Sequence, residues 1–145
     1  MITPSVIDIM NEGLNIVLQN DLLKLNENSF EYGLKLSKED VEIIVEWRET
    51  SLKHMGRIDL GIDVTKKIVE FIYKSQYTNR EDYLEAVVDL QDIFYYLKNE
   101  TLELISDDDA IELISDMYET FCGEIKNIQA EVEDYSKKFK FNLEG

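Results

Sequence analysis

The chain has 145 residues, of which 44% are hydrophobic, and its 31 acidic and 15 basic residues give a net charge of −16. A chain of this length can form one domain, residues 1–145, and can bury roughly 68–70% of its unfolded surface without a disulfide or a structural metal. The acidic excess argues against direct nucleic-acid binding, and no apolar run is long enough to predict a membrane span.

Apolar residues that recur every three or four positions predict an all-α fold, a single-domain bundle of about five to six helices. Thr3 and Pro4 mark the start of the first helix, and a short helix over 21–25 followed by a loop is expected next. Ser37 caps the following helix, and Gly56, in a left-handed conformation, ends it. The predicted helices span approximately residues 4–18, 38–55, 63–74, 79–99, 107–122 and 124–139.

The helix predicted over 79–99 has the strongest pattern in the chain. Thr78 and Glu81 form the sequence pattern of a capping box, and apolar residues then cover most of the helix circumference. We therefore expect this helix to be buried at the centre of the bundle. Its carboxylates lie on a narrow polar strip: Glu85, Asp89 and Asp92. Tyr96 also falls on this strip, which makes it a candidate contact residue.

The stretch from Glu100 to Asp134 holds twelve carboxylates and one lysine, about −11 of the net charge. Such a surface favours a basic partner protein, but it is also explained as a solvated face that keeps the chain soluble. Within it, Ser106 is a predicted helix cap. The three residues that follow, Asp107, Asp108 and Asp109, lack the alternating ligands and the glycine of a calcium loop, and they suit a helix start instead.

Apolar residues from Ile125 to Phe139 recur at alternating spacings of three and four, which is typical of a coiled-coil seam. The seam is barely two heptads long. It either folds back onto its own bundle, which we favour slightly, or pairs with a second copy in a homodimer through the C-terminal helix.

The single histidine and single cysteine offer little chemistry. His54 falls near a helix end. A zinc site needs several Cys or His ligands, and His54 and Cys122 together are too few. Cys122 could be a nucleophile if His54 approached it in space, but we interpret it as a small apolar residue at a helix end. One cysteine excludes an internal disulfide, and no basic residue precedes Lys24 as in a secretory signal, so we expect a cytoplasmic protein.

The connector from Gly56 to Gly61 contains two glycines that bracket an Arg–Asp pair. We interpret it as a tight turn between helices, with Arg57 and Asp59 tying its ends. The alternative is a recognition loop, because loops often carry functional residues.

Eight short segments occur in a fixed order along the chain: Tyr32-Gly33-Leu34, Gly56-Arg57-Ile58-Asp59-Leu60-Gly61, Ser75-Gln76-Tyr77, Leu90-Gln91, Phe94-Tyr95-Tyr96, Lys98-Asn99-Glu100, Ser106-Asp107-Asp108 and Cys122-Gly123. Together they resemble a family of short uncharacterised bacterial proteins of unknown function, known mainly from clostridia and their relatives. The resemblance covers about residues 30–125, and Leu60 departs from it where an aromatic is expected. It implies a single cytoplasmic helical domain and supplies no activity, ligand or catalytic residue.

Three functions remain open. The first, which we favour, is a non-enzymatic acidic helical protein that acts through contacts with a basic protein surface. The second is a small enzyme that depends on carboxylates or on the Cys122 thiol; a deep pocket with an inward-facing carboxylate would support it. The third is a structural homo-oligomer. We assign no catalytic, cofactor-binding or metal-binding residue.

Overall fold

A computed structural model of the chain describes residues 6–59 and 61–144, and within those ranges every regular element is a helix. The elements are α1 (Val6–Lys24), α2 (Asn26–Ser29), a 3₁₀ turn (Phe30–Tyr32), α3 (Lys38–His54), α4 (Asp63–Lys74), α5 (Tyr83–Glu100), α6 (Asp107–Thr120) and α7 (Ile125–Glu144). The all-α prediction is confirmed.

Helix α5 lies at the centre of the bundle, as predicted, and packs against α3, α4, α6 and α7. Its inward residues Leu90, Phe94 and Leu97 have no exposed surface. Burial of each such side chain stabilises the fold by about 1.5–3 kcal/mol, so this helix contributes a large share of the core. Its polar strip is left facing outward.

One buried polar side chain, Gln91 of α5, links three helices within the core. Its Nε2 donates to the Ile44 carbonyl of α3 at 3.1 Å, and its Oε1 accepts from the Thr65 hydroxyl of α4 at 2.5 Å. Because a buried amide without partners would be costly, these two bonds fix how α3 and α4 sit on α5.

The predicted caps of α3 and α6 are confirmed, but that of α5 is wrong. Ser37 and Asp40 form a reciprocal capping box, and the Ser106 hydroxyl accepts from the Asp109 amide. Thr78, by contrast, donates to the Ile72 carbonyl at 2.7 Å and hydrogen-bonds the Tyr118 hydroxyl at 2.6 Å. Its hydroxyl is therefore engaged in tertiary contacts, and α5 begins at residue 83 rather than 79.

The N-terminal region is more helical than the sequence predicted. Helix α1 continues through Lys24 instead of ending near residue 18, and residues 26–32 are helical where a loop was expected. Asn26 explains the difference, because its side chain donates to the Leu36 carbonyl and accepts from the Leu36 amide, both at 2.8 Å. The predicted start at Thr3 and Pro4 lies outside the described residues.

The connector between α3 and α4 is held by Arg48 rather than by an Arg57–Asp59 tie. Arg48, which interrupts an apolar row in the sequence, is buried and donates to the Asp59 and Gly61 carbonyls at 2.9 and 2.6 Å. Arg57 instead pairs with Glu103 at 2.9 Å. Gly56 adopts the predicted left-handed conformation, with φ of +66°.

The apolar seam of α7 folds back onto its own bundle. Ile128 and Val132 are buried, and α7 packs on α5 and α6. The helix also runs to residue 144, beyond the predicted end at 139, while α6 ends at residue 120 rather than 122. Because the seam is used within the chain, it is not free to pair with a second copy while α7 stays in place.

Candidate functional site

A groove of about 570 Å³ lies beside the polar strip of α5. Helix α5 forms its floor with Ala86 and Ile93, and one wall is formed by Gly123 of the α6–α7 turn and by Ile125 at the start of α7. Ligand sites in proteins commonly have volumes of about 300–1,000 Å³, so the groove is large enough to bind a side chain or a small molecule.

Carboxylates dominate the polar lining of this groove. Four of them come from α5 and the turn before it, and one comes from the α6–α7 turn: Asp82, Glu85, Asp89, Asp92 and Glu124. Lys126 also lines the groove. Among the described residues, none of the five carboxylates forms an ion pair. With five carboxylates and one lysine in its lining, the groove therefore carries a net negative charge.

Asp89 is the carboxylate most affected by this arrangement. It is half-buried, and burial raises the pKa of its carboxyl, with the neighbouring charges of Glu85 and Asp92 acting in the same direction. Those neighbours lie one helical turn before and after it, where like charges on a helix repel. A bound cation would offset both the burial of the Asp89 carboxylate and the repulsion by its neighbours, because a nearby opposite charge favours the ionised form.

Two tyrosines close one end of the groove. Tyr118 is buried, which raises its pKa, and its hydroxyl is tied to Thr78. Tyr77 is exposed, and a hydrogen bond to the Cys122 side chain raises its pKa. Aromatic faces next to carboxylates suit a cationic ligand, because a ring attracts a cation electrostatically.

The turn after α6 shapes this end through two successive left-handed residues. Cys122 has φ of +53° and Gly123 has φ of +79°. The Gly123 amide donates to the Tyr118 carbonyl at 2.8 Å, which completes a Schellman motif in which Cys122 occupies the position usually held by glycine. A Cβ at Gly123 would lie 3.4 Å from Tyr77, which is ordinary van der Waals contact, so the left-handed φ rather than the available space favours glycine there.

The acidic stretch from Glu100 to Asp134 is partly neutralised by ion pairs. Five of its twelve carboxylates are engaged in ion pairs: Glu100, Glu103, Asp107, Asp108 and Asp134. The buried Lys98 alone lies 3.0 Å from Asp107 and 3.6 Å from Glu103. Of the twelve, Glu124 is the one that lines the groove. Five of the twelve charges that are clustered in sequence are thus neutralised in space, and the other seven form no ion pair among the described residues.

The other residues considered from the sequence lie away from the groove or at its edge. His54 ends α3 and is exposed. Helix α3, which ends at His54, packs on α1 and α5, whereas α6, which precedes Cys122, packs on α4, α5 and α7. No hydrogen bond among the described residues joins His54 to Cys122. Asp107–Asp109 form the first turn of α6, as expected. Across residues 6–59 and 61–144, no cluster of His, Cys, Asp or Glu is arranged to hold a metal ion.

Comparison with protein families gives one match. Residues 21–145 match the model of a family of unknown function, DUF6323. The chain belongs to this family. No curated protein and no solved structure matches it. The family assignment confirms the resemblance to proteins of unknown function and leaves the groove as the feature from which function must be argued.

The groove lies within the part of the chain that the family match covers. Sequence reasoning identified the polar strip on α5, but it did not foresee that the α6–α7 turn would enclose that strip. The signal available was the Cys122-Gly123 pair, which marks a sharp chain reversal without showing where the reversal packs. In the described part of the chain, no helix combines the length and apolar character needed to cross a membrane.

Proposed function

We propose that the protein is a non-enzymatic binding module that receives a cationic segment of a partner protein in the α5 groove. The observation that supports this most strongly is the set of five carboxylates around a 570 Å³ groove, none of which forms an ion pair among the described residues. Maintaining unpaired like charges on one helix face costs stability. A cation that binds there is the simplest compensation for that cost.

Lysine and arginine side chains suit the groove for two further reasons. Their aliphatic stems can pack on Ala86 and Ile93 of the floor while the charged heads reach Glu85 or Asp89. The exposed Tyr77 at the end offers a ring face for a second cation. This refines the earlier expectation of a basic partner, since it moves the contact from the Glu100–Asp134 stretch to α5.

A second candidate is an acid–base enzyme. A half-buried carboxyl with a raised pKa, such as that of Asp89, is what a proton donor in a pocket requires. However, no hydrogen bond from another described side chain orients the Asp89 carboxyl. Because catalysis depends on such positioning, binding is the function that we put forward.

The proposal also includes a cytoplasmic location in a bacterium. The single cysteine supports a reducing compartment, and the resemblance supports the bacterial origin.

The test is fluorescence anisotropy with a labelled peptide of alternating lysine and glycine residues. We expect saturable binding that weakens as salt is added. The Glu85→Gln/Asp89→Asn variant should bind about tenfold more weakly, since two of the carboxylates that face the ligand are neutralised.

A matched control is available on α6. Glu112 and Asp116 have the same spacing of four residues and are exposed, and neither lines the groove. The Glu112→Gln/Asp116→Asn variant carries the same change in net charge and should bind like the unmodified chain. An equal loss in both variants would mean non-specific attraction to an acidic protein, and the proposal would then be wrong.

A further inference from the structure

Helix α1 carries a row of exposed apolar side chains that nothing in the described structure covers. Its C-terminal half enters the core through Leu18 and Leu22, which are fully buried. The preceding turns present large apolar residues to solvent: Val6, Ile9, Met10, Ile16 and Val17. We infer that this face is a self-association surface, through which α1 packs against the same helix of a second copy.

The spacing of the row suits helix–helix packing. Ile9, Gly13, Ile16 and Asn20 follow one another at intervals of four, three and four, which is the repeat of a coiled-coil seam. A Cβ built on Gly13 would meet no atom within 4 Å. The backbone there is open, so a partner helix can approach closely at the middle of the seam.

The exposed area is sufficient for a specific dimer. The five large apolar side chains are between 43% and 74% exposed. They present roughly 500 Å² on each copy, and two copies would bury about 1,000 Å², which is the lower bound for a specific interface. An exposed apolar patch of about 500 Å² lies in the range of the largest patch on a typical protein surface, and such patches often serve as interaction sites.

The charge of the chain favours a second copy seated on this face rather than elsewhere. The net charge is −16, so two copies repel over most of their surfaces. Between residues 6 and 20, however, the charged residues are only Asp8 and Glu12. Asp8 directly precedes Ile9 and Glu12 directly precedes Gly13, so both carboxylates lie to one side of the apolar row on the helix. A two-fold axis through the seam would therefore join surfaces of low charge on the two copies.

The α1 seam is separate from the groove and from the family match. It precedes residue 21, where the match to the family begins. It also differs from the α7 seam, which is occupied within the bundle. Self-association through α1 can therefore be true or false independently of cation binding.

The test is the mass of the full-length chain by light scattering over a wide range of protein concentrations. We expect the mass to approach twice 17.0 kDa. Ile16→Glu should raise the dissociation constant of the dimer by at least about 100-fold, because on both copies it replaces an isoleucine that the proposed interface buries by a charge. Phe141→Glu alters an exposed apolar residue on α7 and should leave the dimer intact.

Because Ile16 is exposed in the single chain, the variant should fold, and circular dichroism checks this. If Ile16→Glu does not fold, the neutral variant Ile9→Gln decides the matter by the same measurement. A chain that stays at 17.0 kDa at every concentration would overturn the inference. A dimer that survives both seam substitutions would overturn it as well, since the contact would then lie on another face.

Discussion

Replacement of Asp89 by asparagine is expected to make the protein more stable at neutral pH. Asp89 lies half-buried in the groove, with Glu85 four residues before it and Asp92 three residues after it. Burial raises the pKa of its carboxyl, which means that the folded state disfavours the charged form. Asparagine keeps the shape of the side chain and removes the charge.

The size of the gain can be worked from the helix geometry. Each like-charge pair at three or four residues costs about 0.2–0.5 kcal/mol, so the two pairs around Asp89 together cost about 0.4–1 kcal/mol. Asp116 provides a control, because Glu112 and Glu119 lie at the same two spacings on α6 and Asp116 is exposed. Asp116→Asn should remove only the cost of like-charge repulsion. Asp89→Asn should raise the free energy of unfolding by more than Asp116→Asn does, because burial adds to the cost of the Asp89 charge.

The gain should also depend on pH with a definite sign. The pKa of Asp89 in the folded state lies above the ordinary value of 3.8. The protonated form of Asp89 therefore stabilises the folded state at low pH, and this stabilisation is lost as pH rises through the folded-state pKa. The advantage of Asp89→Asn should therefore be small near pH 4 and grow to a plateau by about pH 7. Urea unfolding followed by circular dichroism measures it. A gain no larger than that of Asp116→Asn, or one that shrinks as pH rises, would refute the reasoning.

Three further substitutions test the fold around the site. Arg48→Met should cost about 2–4 kcal/mol in urea unfolding, because two carbonyls of the connector lose a charged donor; an unchanged midpoint would contradict that role. Gln91→Leu should cost about 1–3 kcal/mol in the same assay. Adding Thr65→Val should recover part of this loss, because it removes the Thr65 hydroxyl that Gln91→Leu leaves without a partner. If the effects of the two substitutions simply added, the Thr65–Gln91 hydrogen bond would not be supported. Cys122→Gly should raise stability by about 1 kcal/mol in the same assay by relieving a left-handed residue, whereas Cys122→Ala should bring no gain; equal effects would show that φ is not the cause.

Local rules predicted the elements whose causes are local. The caps at Ser37 and Ser106 follow from a hydroxyl and an acidic residue three positions later, and both are present. Gly56 ends α3 because a left-handed residue is needed there. The central position of α5 followed from its apolar circumference, which requires packing on several sides.

Tertiary contacts decided what the sequence could not show. Thr78 has the local pattern of a cap, but its hydroxyl finds partners on α4 and α6 that no local rule includes. Arg48 looks like a break in an apolar row because its partners are carbonyls distant in the chain. The groove was missed for the same reason, since it depends on the α6–α7 turn folding over α5.

The measurement that tests the central proposal most directly is a map of backbone amide shifts by nuclear magnetic resonance as the lysine–glycine peptide is added. The proposal predicts that the largest changes fall along the groove, at Glu85, Asp89, Gly123 and Gln129, and that they fade as salt is raised. Changes centred on the exposed face of α6 around Glu112 and Asp116, or spread evenly over the acidic surface, would contradict it.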